Sequence, residues 1–327
     1  MTGESSGKIK HPDDPPLFDY INTRDVRKLA SFFKAKNMIE ISYSPKVVAT
    51  ALGVSESSLK RWCDGGKIEV TKTAGGHRRI PRNAVLNFAR DHQFEIDKPE
   101  MIGLPKLSRS SQVSLEAARE DLLEMLIAGD ESNCRRILIE LYLAGFRVSS
   151  IGDEVISPVF EEIGHLWECS SLEIYQERLS CEICSRSLLQ MRSMLRKPAD
   201  EAPLAIGGTP EDDPYALPTA LVEMVITQND YRAVSLGSRI PWDSLIAAAK
   251  KMQPGLMWFS VSYLESEKSF LDGFRRLSNT LDGKVPIIAG GQGLSDALLS
   301  QMQPVVHCDS LSKLDSILQN FKPGRTP

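Results

Sequence analysis

The chain has 327 residues, enough for two or three domains, and its 42% hydrophobic and 25% charged residues are the balance of a soluble globular protein. No stretch approaches the roughly 18–20 apolar residues that a membrane span needs, and the polar start MTGESSGKIKHPDDPP is unlike a secretion signal. The cysteines (63, 134, 169, 181, 184, 308) lie scattered, mostly in helical patterns, so the expectation is a cytoplasmic protein without a disulfide framework or a membrane partner.

The net charge of −4 hides an asymmetry. Between Ser44 and His92, nine Lys/Arg face four Asp/Glu, a surplus of five that leaves the rest of the chain at −9. A basic module on an acidic body suits one domain that meets a polyanion.

In chain order, residues 1–39 read as a disordered N-terminus with a short helix at 24–39. Residues 40–92 form the basic module, and 93–112, with two prolines and little periodicity, read as a linker. Residues 113–200 hold four helical segments (113–128, 130–145, 149–168, 172–195), with Asp130 and Ser149 as N-caps and Gly145 as a C-cap; the short connections suggest a four-helix bundle. Residues 201–327 alternate strands (LAIGG, RAVSLG, LMWFSVS, VPIIAGG, PVVHC) with helices at 214–229, 241–253, 266–281, 294–302 and 310–321. Apolar strands at that spacing imply a parallel sheet with ligands at the carboxyl ends of its strands. The fold class expected is multidomain α and α/β.

Within the basic module, SPKVVATALGVSESSLKRWCDGGKI reads as a helix–turn–helix. Ser44 and Ser55 cap its two helices, and Val47, Val48, Leu52, Leu59 and Trp62 face inward. That leaves Ser57, Ser58, Lys60 and Arg61 for base edges and phosphates in a major groove of double-stranded DNA. KIEVTKTAGGHRRI adds two short strands around a glycine loop, whose Lys72, His77, Arg78 and Arg79, with Arg82 just beyond, suit phosphate or minor-groove contacts. The alternative is a small helical module with a solvated basic rim. The run KRWCDGGKIEVTKTAGGHRRI resembles the winged helix–turn–helix of MerR-type regulators.

This head, followed by a helical bundle and a doubly wound domain, resembles the cobalamin-binding, light-responsive repressors of the CarH/LitR type over residues 42–325. The resemblance implies a Rossmann-like, cobalamin-binding-type domain, a homo-oligomer (dimer or tetramer) and an operator of repeated half-sites. It also implies a bundle Trp followed ten and eleven residues later by Glu and His, of which the Trp covers the corrin. Here Trp167 and Glu177 match, but Arg178 stands at the His; Trp167 is read as a bundle-core residue instead. A further signature, DxHxxG, becomes DPYALP, with Asp213 on the Asp, Tyr215 on the cobalt-binding His and Pro218 on the Gly. Ser260, Gly290 and Gly291 match the positions that line the nucleotide-tail tunnel.

A phenol keeps its proton at neutral pH and is a poor cobalt ligand, a guanidinium cannot ligate, and Pro218 stiffens a loop that needed glycine. The expectation is a regulator whose sensor works without cobalamin, constitutively or through another small ligand or a protein antirepressor. Cobalamin or haem held by other ligation, or a corrinoid-carrier accessory protein, are the alternatives. Cys181 and Cys184 (CxxC on one helix face) read as packing, His165 as a surface or capping residue and His307 as structural. No catalytic or metal site is expected.

Overall fold

The computed structural model describes residues 41–107 and 113–320; the expected helix at 24–39, and the rest of 1–39, lie outside the described residues. In the head, β1 (Ser42–Tyr43), α1 (Pro45–Ala51), α2 (Glu56–Asp64), β2 (Thr71–Lys72), β3 (Arg78–Pro81) and α3 (Arg82–Asp91) follow one another. Ser44 Oγ accepts from Val47 N and Ser55 Oγ from Ser58 N, so each helix of the turn motif starts on a serine that satisfies an otherwise unpaired amide. Gly53 in the connecting turn has φ +65°, a conformation that costs glycine nothing. The strands form a three-stranded antiparallel sheet in the order β1-β3-β2; β1, unforeseen in the sequence, pairs Tyr43 with Ile80.

The stretch expected as a linker is, from 93 to 107, packed on the head. Phe94 meets Trp62 edge-on, Ile96, Ile102 and Leu104 are buried, and Lys98 N donates to Ala51 O. Its apolar residues lack a helical period because they cover the head in a coil and one short 3-10 turn, Pro99–Ile102.

The bundle comprises α4 (Leu115–Ile127), α5 (Glu131–Leu143), α6 (Val148–Ile151), a π turn (Gly152–Ile156), α7 (Ser157–Glu168) and α8 (Ile174–Arg192). Asp130 caps α5 through Asn133 N, and Gly145, at φ +99°, follows its end. Ser149 is not a cap: it lies buried inside α6, and its hydroxyl donates to Asp315.

The α/β region runs β4 (Leu204–Gly208), α9 (Ala216–Gln228), β5 (Arg232–Ser235), α10 (Trp242–Met252), β6 (Leu256–Ser260), α11 (Glu267–Leu281), β7 (Ile287–Gly290), α12 (Asp296–Leu299), β8 (Val306–His307) and α13 (Leu311–Asn320). Its strands pair in parallel in the order β5-β4-β6-β7-β8. The winding reverses between β4 and β6, so the loops that leave those two strands flank the switch point. Alternation along the strands builds two cores. Ala205 and Trp258 join the apolar cluster that includes the bundle, whereas Ile206, Met257 and Phe259 pack on Trp242, Phe270 and Phe274. Among the described residues no helix is long and apolar enough to cross a membrane.

α6 and the π turn lie against α9 and α13. Arg147 forks onto the Asp315 carboxylate with Nη2 at 2.5 Å, Asn229 Nδ2 donates to the same group at 2.7 Å, and Asp153 accepts from Leu311 N and Ser312 N at the start of α13. Burial pushes the Asp315 carboxyl up, but Arg147, Asn229, Ser149 and Gln319 outweigh it and hold the group below the usual aspartate value.

Candidate nucleic-acid interface and sheet mouth

The face of α2 that turns inward is fixed by packing. Leu59 is fully buried, and Trp62 lies 4.8 Å from Phe88 between ring centroids. The 3.6-residue period therefore turns Ser57, Lys60 and Arg61 outward, and all three are exposed. Ser58, half-buried, is held by the cap: Ser55 Oγ donates to Ser58 Oγ, and Arg61 Nη2 donates to the same hydroxyl at 3.3 Å.

β2 and β3 form the wing, with Thr71 opposite Arg79 and Lys72 opposite Arg78. Thr73 closes it: Thr73 N donates to His77 O, Gly76 N to Thr73 O, and His77 N to Thr73 Oγ1. Lys72 and His77 are exposed at its tip. Arg78 ion-pairs with Asp64 at 2.8 Å, tying the wing to the end of α2. Between wing and helices lies an open concavity of about 770 Å³ lined by Ser44, Pro45, Thr73, His77, Arg78 and Arg79. A second, of about 400 Å³, is lined by Pro45, Glu56, Ser57, Lys60, Cys63 and Arg78. Pro45 and Arg78 border both, so the two hollows form one basic trough beside α2.

Two expected contact residues are committed elsewhere. Arg79 donates to Ser42 O at 2.5 Å and to Ser42 Oγ at 3.4 Å, which pins β1 to the sheet. Arg82 turns away from the trough and donates to Ser193 Oγ beyond the end of α8. Thr73, which the sequence reading did not single out, and Ser44, read there only as a helix cap, also line the trough; their position beside the arginines is tertiary.

At the sheet mouth, Asp213 is fully buried and bonded throughout. Oδ1 accepts from Tyr215 N at 2.9 Å, and Oδ2 accepts from Ser262 N at 2.5 Å and Tyr263 N at 3.3 Å. The carboxyl thus staples the loop after β4 to the loop after β6 across the switch point. Burial pushes its pKa up, against the three amides that favour the ionised form. Tyr215 is the N-cap of α9 and is 46% exposed.

Pro218 does not stiffen a loop: it is the third residue of α9, where the amide it lacks would have had no partner within the helix. Leu217 is helical despite the proline that follows it. Ser260 closes β6, buried. A Cβ on Gly290 would stand 2.2 Å from Cys308 O, and one on Gly291, at φ +117°, 2.2 Å from Val261 O. Both positions therefore require glycine for strand packing itself.

On the bundle, Trp167 is 47% exposed near the end of α7, which corrects the core reading. The α7 face that packs inward is carried by Val159 and Ile163. On α8, Ile174, Tyr175 and Leu179 are also exposed. Glu177 accepts from Cys181 Sγ at 3.4 Å and pairs with Arg178 Nε at 3.3 Å, while the Arg178 side chain is 71% exposed. Cys184 is buried beside Cys134, and burial pushes the Cys181 and Cys134 thiols up to about 12, as packing residues. His165 sits on the surface, one turn before Cys169. Among the described residues no group of three or more His, Cys, Asp or Glu could hold a metal ion.

A helix-turn-helix domain model matches residues 42–93, and a B12 binding domain model matches residues 118–190. The HTH-type transcriptional repressor CarH of Myxococcus xanthus is 25% identical over 279 aligned residues, covering 78% of this chain and 90% of that protein. The structure of the Methanosarcina barkeri monomethylamine corrinoid protein superposes with a TM-score of 0.55 at 19% identity, over 64% of this chain and all of that one; at this identity the likeness shows the fold. The chain joins a helix–turn–helix head to a B12-binding-like body and is a CarH-like transcriptional regulator in its domain make-up.

Proposed function

We propose that this protein binds an operator in double-stranded DNA through α2 and the wing, as a homo-oligomer, and that its sensor body works without histidine-ligated cobalamin. It acts constitutively or answers another small ligand or a protein partner, and it carries out no catalysis of its own. The DNA half rests on the basic trough bordered by Ser57, Lys60, His77 and Arg78, together with the helix-turn-helix match.

The sensor half rests on one observation. The carboxylate that would orient an imidazole is instead consumed by three backbone amides, and the residue at the ligand position is a half-exposed tyrosine. The donor set does not fit His-ligated cobalamin: a phenol stands at 215 and an ion-paired guanidinium at 178. The glycines at 290 and 291 match the tail-binding signature, but strand packing accounts for them. A corrinoid carrier, the second reading, shares the fold and would need the same absent imidazole.

Absorbance spectra of the purified protein with adenosylcobalamin or haem, in dark and light, paired with DNA mobility shifts, test both halves. The expected result is salt-sensitive DNA binding that neither cofactor nor light alters. A stable, light-sensitive red complex would overturn the cobalamin-independent reading.

A further inference from the structure

The bundle's last helix ends in two adjacent polar residues that grip different domains. Arg192 Nη1 donates to Glu223 Oε2 at 2.6 Å. Glu223 is buried on α9, the helix that starts at the DPYALP loop, and its other oxygen accepts from Ser235 N at the end of β5. The next residue, Ser193, accepts from Arg82 Nη2 at 2.9 Å. Arg82 is the first residue of α3 and follows the wing strand β3 directly. One dipeptide thus touches both the helix launched from the sheet mouth and the base of the wing.

A separate set of contacts gives the head a pivot. Arg90, near the far end of α3, donates to Gly145 O and Phe146 O, two carbonyls just past the end of α5. Its guanidinium also lies 4.3 Å over the buried Tyr142 ring. The Arg196–Asp91 ion pair flanks it at 2.8 Å. With one end of α3 held this way, movement of Arg82 at the other end would tilt the wing rather than free the head. The docked head leaves Ser57, Lys60, Arg61, Lys72 and His77 exposed, so this contact does not mask the trough.

We propose that Arg192 and Ser193 form a mechanical link between the sheet mouth and the DNA-binding head, through which the position of α9 sets the tilt of the wing. The geometry suits it. Asp213 fixes the loop that starts α9, Glu223 fixes α9 to Arg192, and Ser193 moves with Arg192 because no turn separates them. Whatever enters or leaves the sheet mouth therefore changes the angle at which the heads of an oligomer meet two half-sites, without touching DNA. The link deepens the regulator reading above and rests on it for its purpose, but its existence is tested without DNA or cofactor.

The test measures distances between fluorophores placed through noncanonical residues at the exposed positions Glu69 in the head and Lys251 on α10. Wild type is expected to give one narrow distribution. Glu223→Gln, which weakens the grip on Arg192, is expected to widen it or add a second population, and Arg192→Lys, which keeps the charge and changes the donor geometry, to do so more weakly. In an Arg82→Met background, where the lever is already cut, Glu223→Gln is expected to add nothing. An unchanged distribution in both Glu223→Gln and Arg192→Lys overturns the link. So does equal widening with and without Arg82, which would mark a general loosening. Circular dichroism of each variant separates tilt from failure to fold. Loss of DNA binding with an intact distance response would instead count against the regulator reading alone.

Discussion

The head and the sheet mouth both resemble sites of the same regulator family, and they spend their charged groups in opposite ways. In the head, Lys60, Arg61 and Lys72 are exposed beside an open trough, so their charge faces outward. At the mouth, Asp213 is buried and every bond its carboxylate makes is to the protein's own backbone. A charged residue kept at a family position thus faces solvent in one place and is a loop staple in the other. Residue identity alone does not distinguish them; the partners do.

The largest effect that would sharpen this contrast is on stability. Asp213→Ala removes the acceptor of three amides in two loops and is expected to cost about 3 kcal/mol in denaturant unfolding. A cost no greater than that of Tyr215→Ala would break the staple reading. Next, Arg147→Ala is expected to cost about 2 kcal/mol, less than a fully buried pair because the Arg147 side chain is 38% exposed. Asp315, whose pKa is depressed in the fold, contributes stability that is present above the unfolded aspartate value near 4 and is lost as pH falls through the folded value. The gap in unfolding free energy between wild type and Asp315→Asn should therefore close on acidification below about pH 4.

The head should behave the other way. Lys60→Ala is expected to lower DNA affinity roughly ten-fold and reduce the salt slope by about one, while changing unfolding free energy by less than about 0.5 kcal/mol. Titration at several salt concentrations checks the first part, and a stability loss comparable to that of Asp213→Ala would remove the contrast. The smallest effect is at Arg78. Its ion pair with Asp64 is partly exposed, so Arg78→Ala should cost under about 0.5 kcal/mol of stability, yet weaken DNA binding several-fold.

Much of the fold was legible because it is written in local chemistry. Serine caps at 44 and 55, the glycine turn at 53 and the apolar period of α2 specify the helix–turn–helix from neighbouring residues. The five parallel strands of the α/β region are short apolar runs between amphipathic helices, a pattern that also needs no distant information. Where the reading failed, the deciding partner was far away in sequence. Ser149 looked like a cap but lies inside a helix against Asp315. Trp167 looked like core because tryptophan is large and apolar, yet Val159 and Ile163 carry the buried face of α7.

By itself the sequence determined the domain order, the caps and turns of the head, and the replacement of both expected imidazoles by Tyr215 and Arg178. Those are statements about which residues stand at which spacing, and local sterics and hydrogen bonding enforce them. Only the tertiary structure decided that Asp213 is consumed by Tyr215, Ser262 and Tyr263, that Pro218 sits harmlessly in a first helical turn, and that Arg192 and Ser193 join α9 to the wing. A buried polar group takes whichever partner the packed chain brings within about 3 Å, and residues 213 and 262, or 82 and 193, meet only once the core has closed.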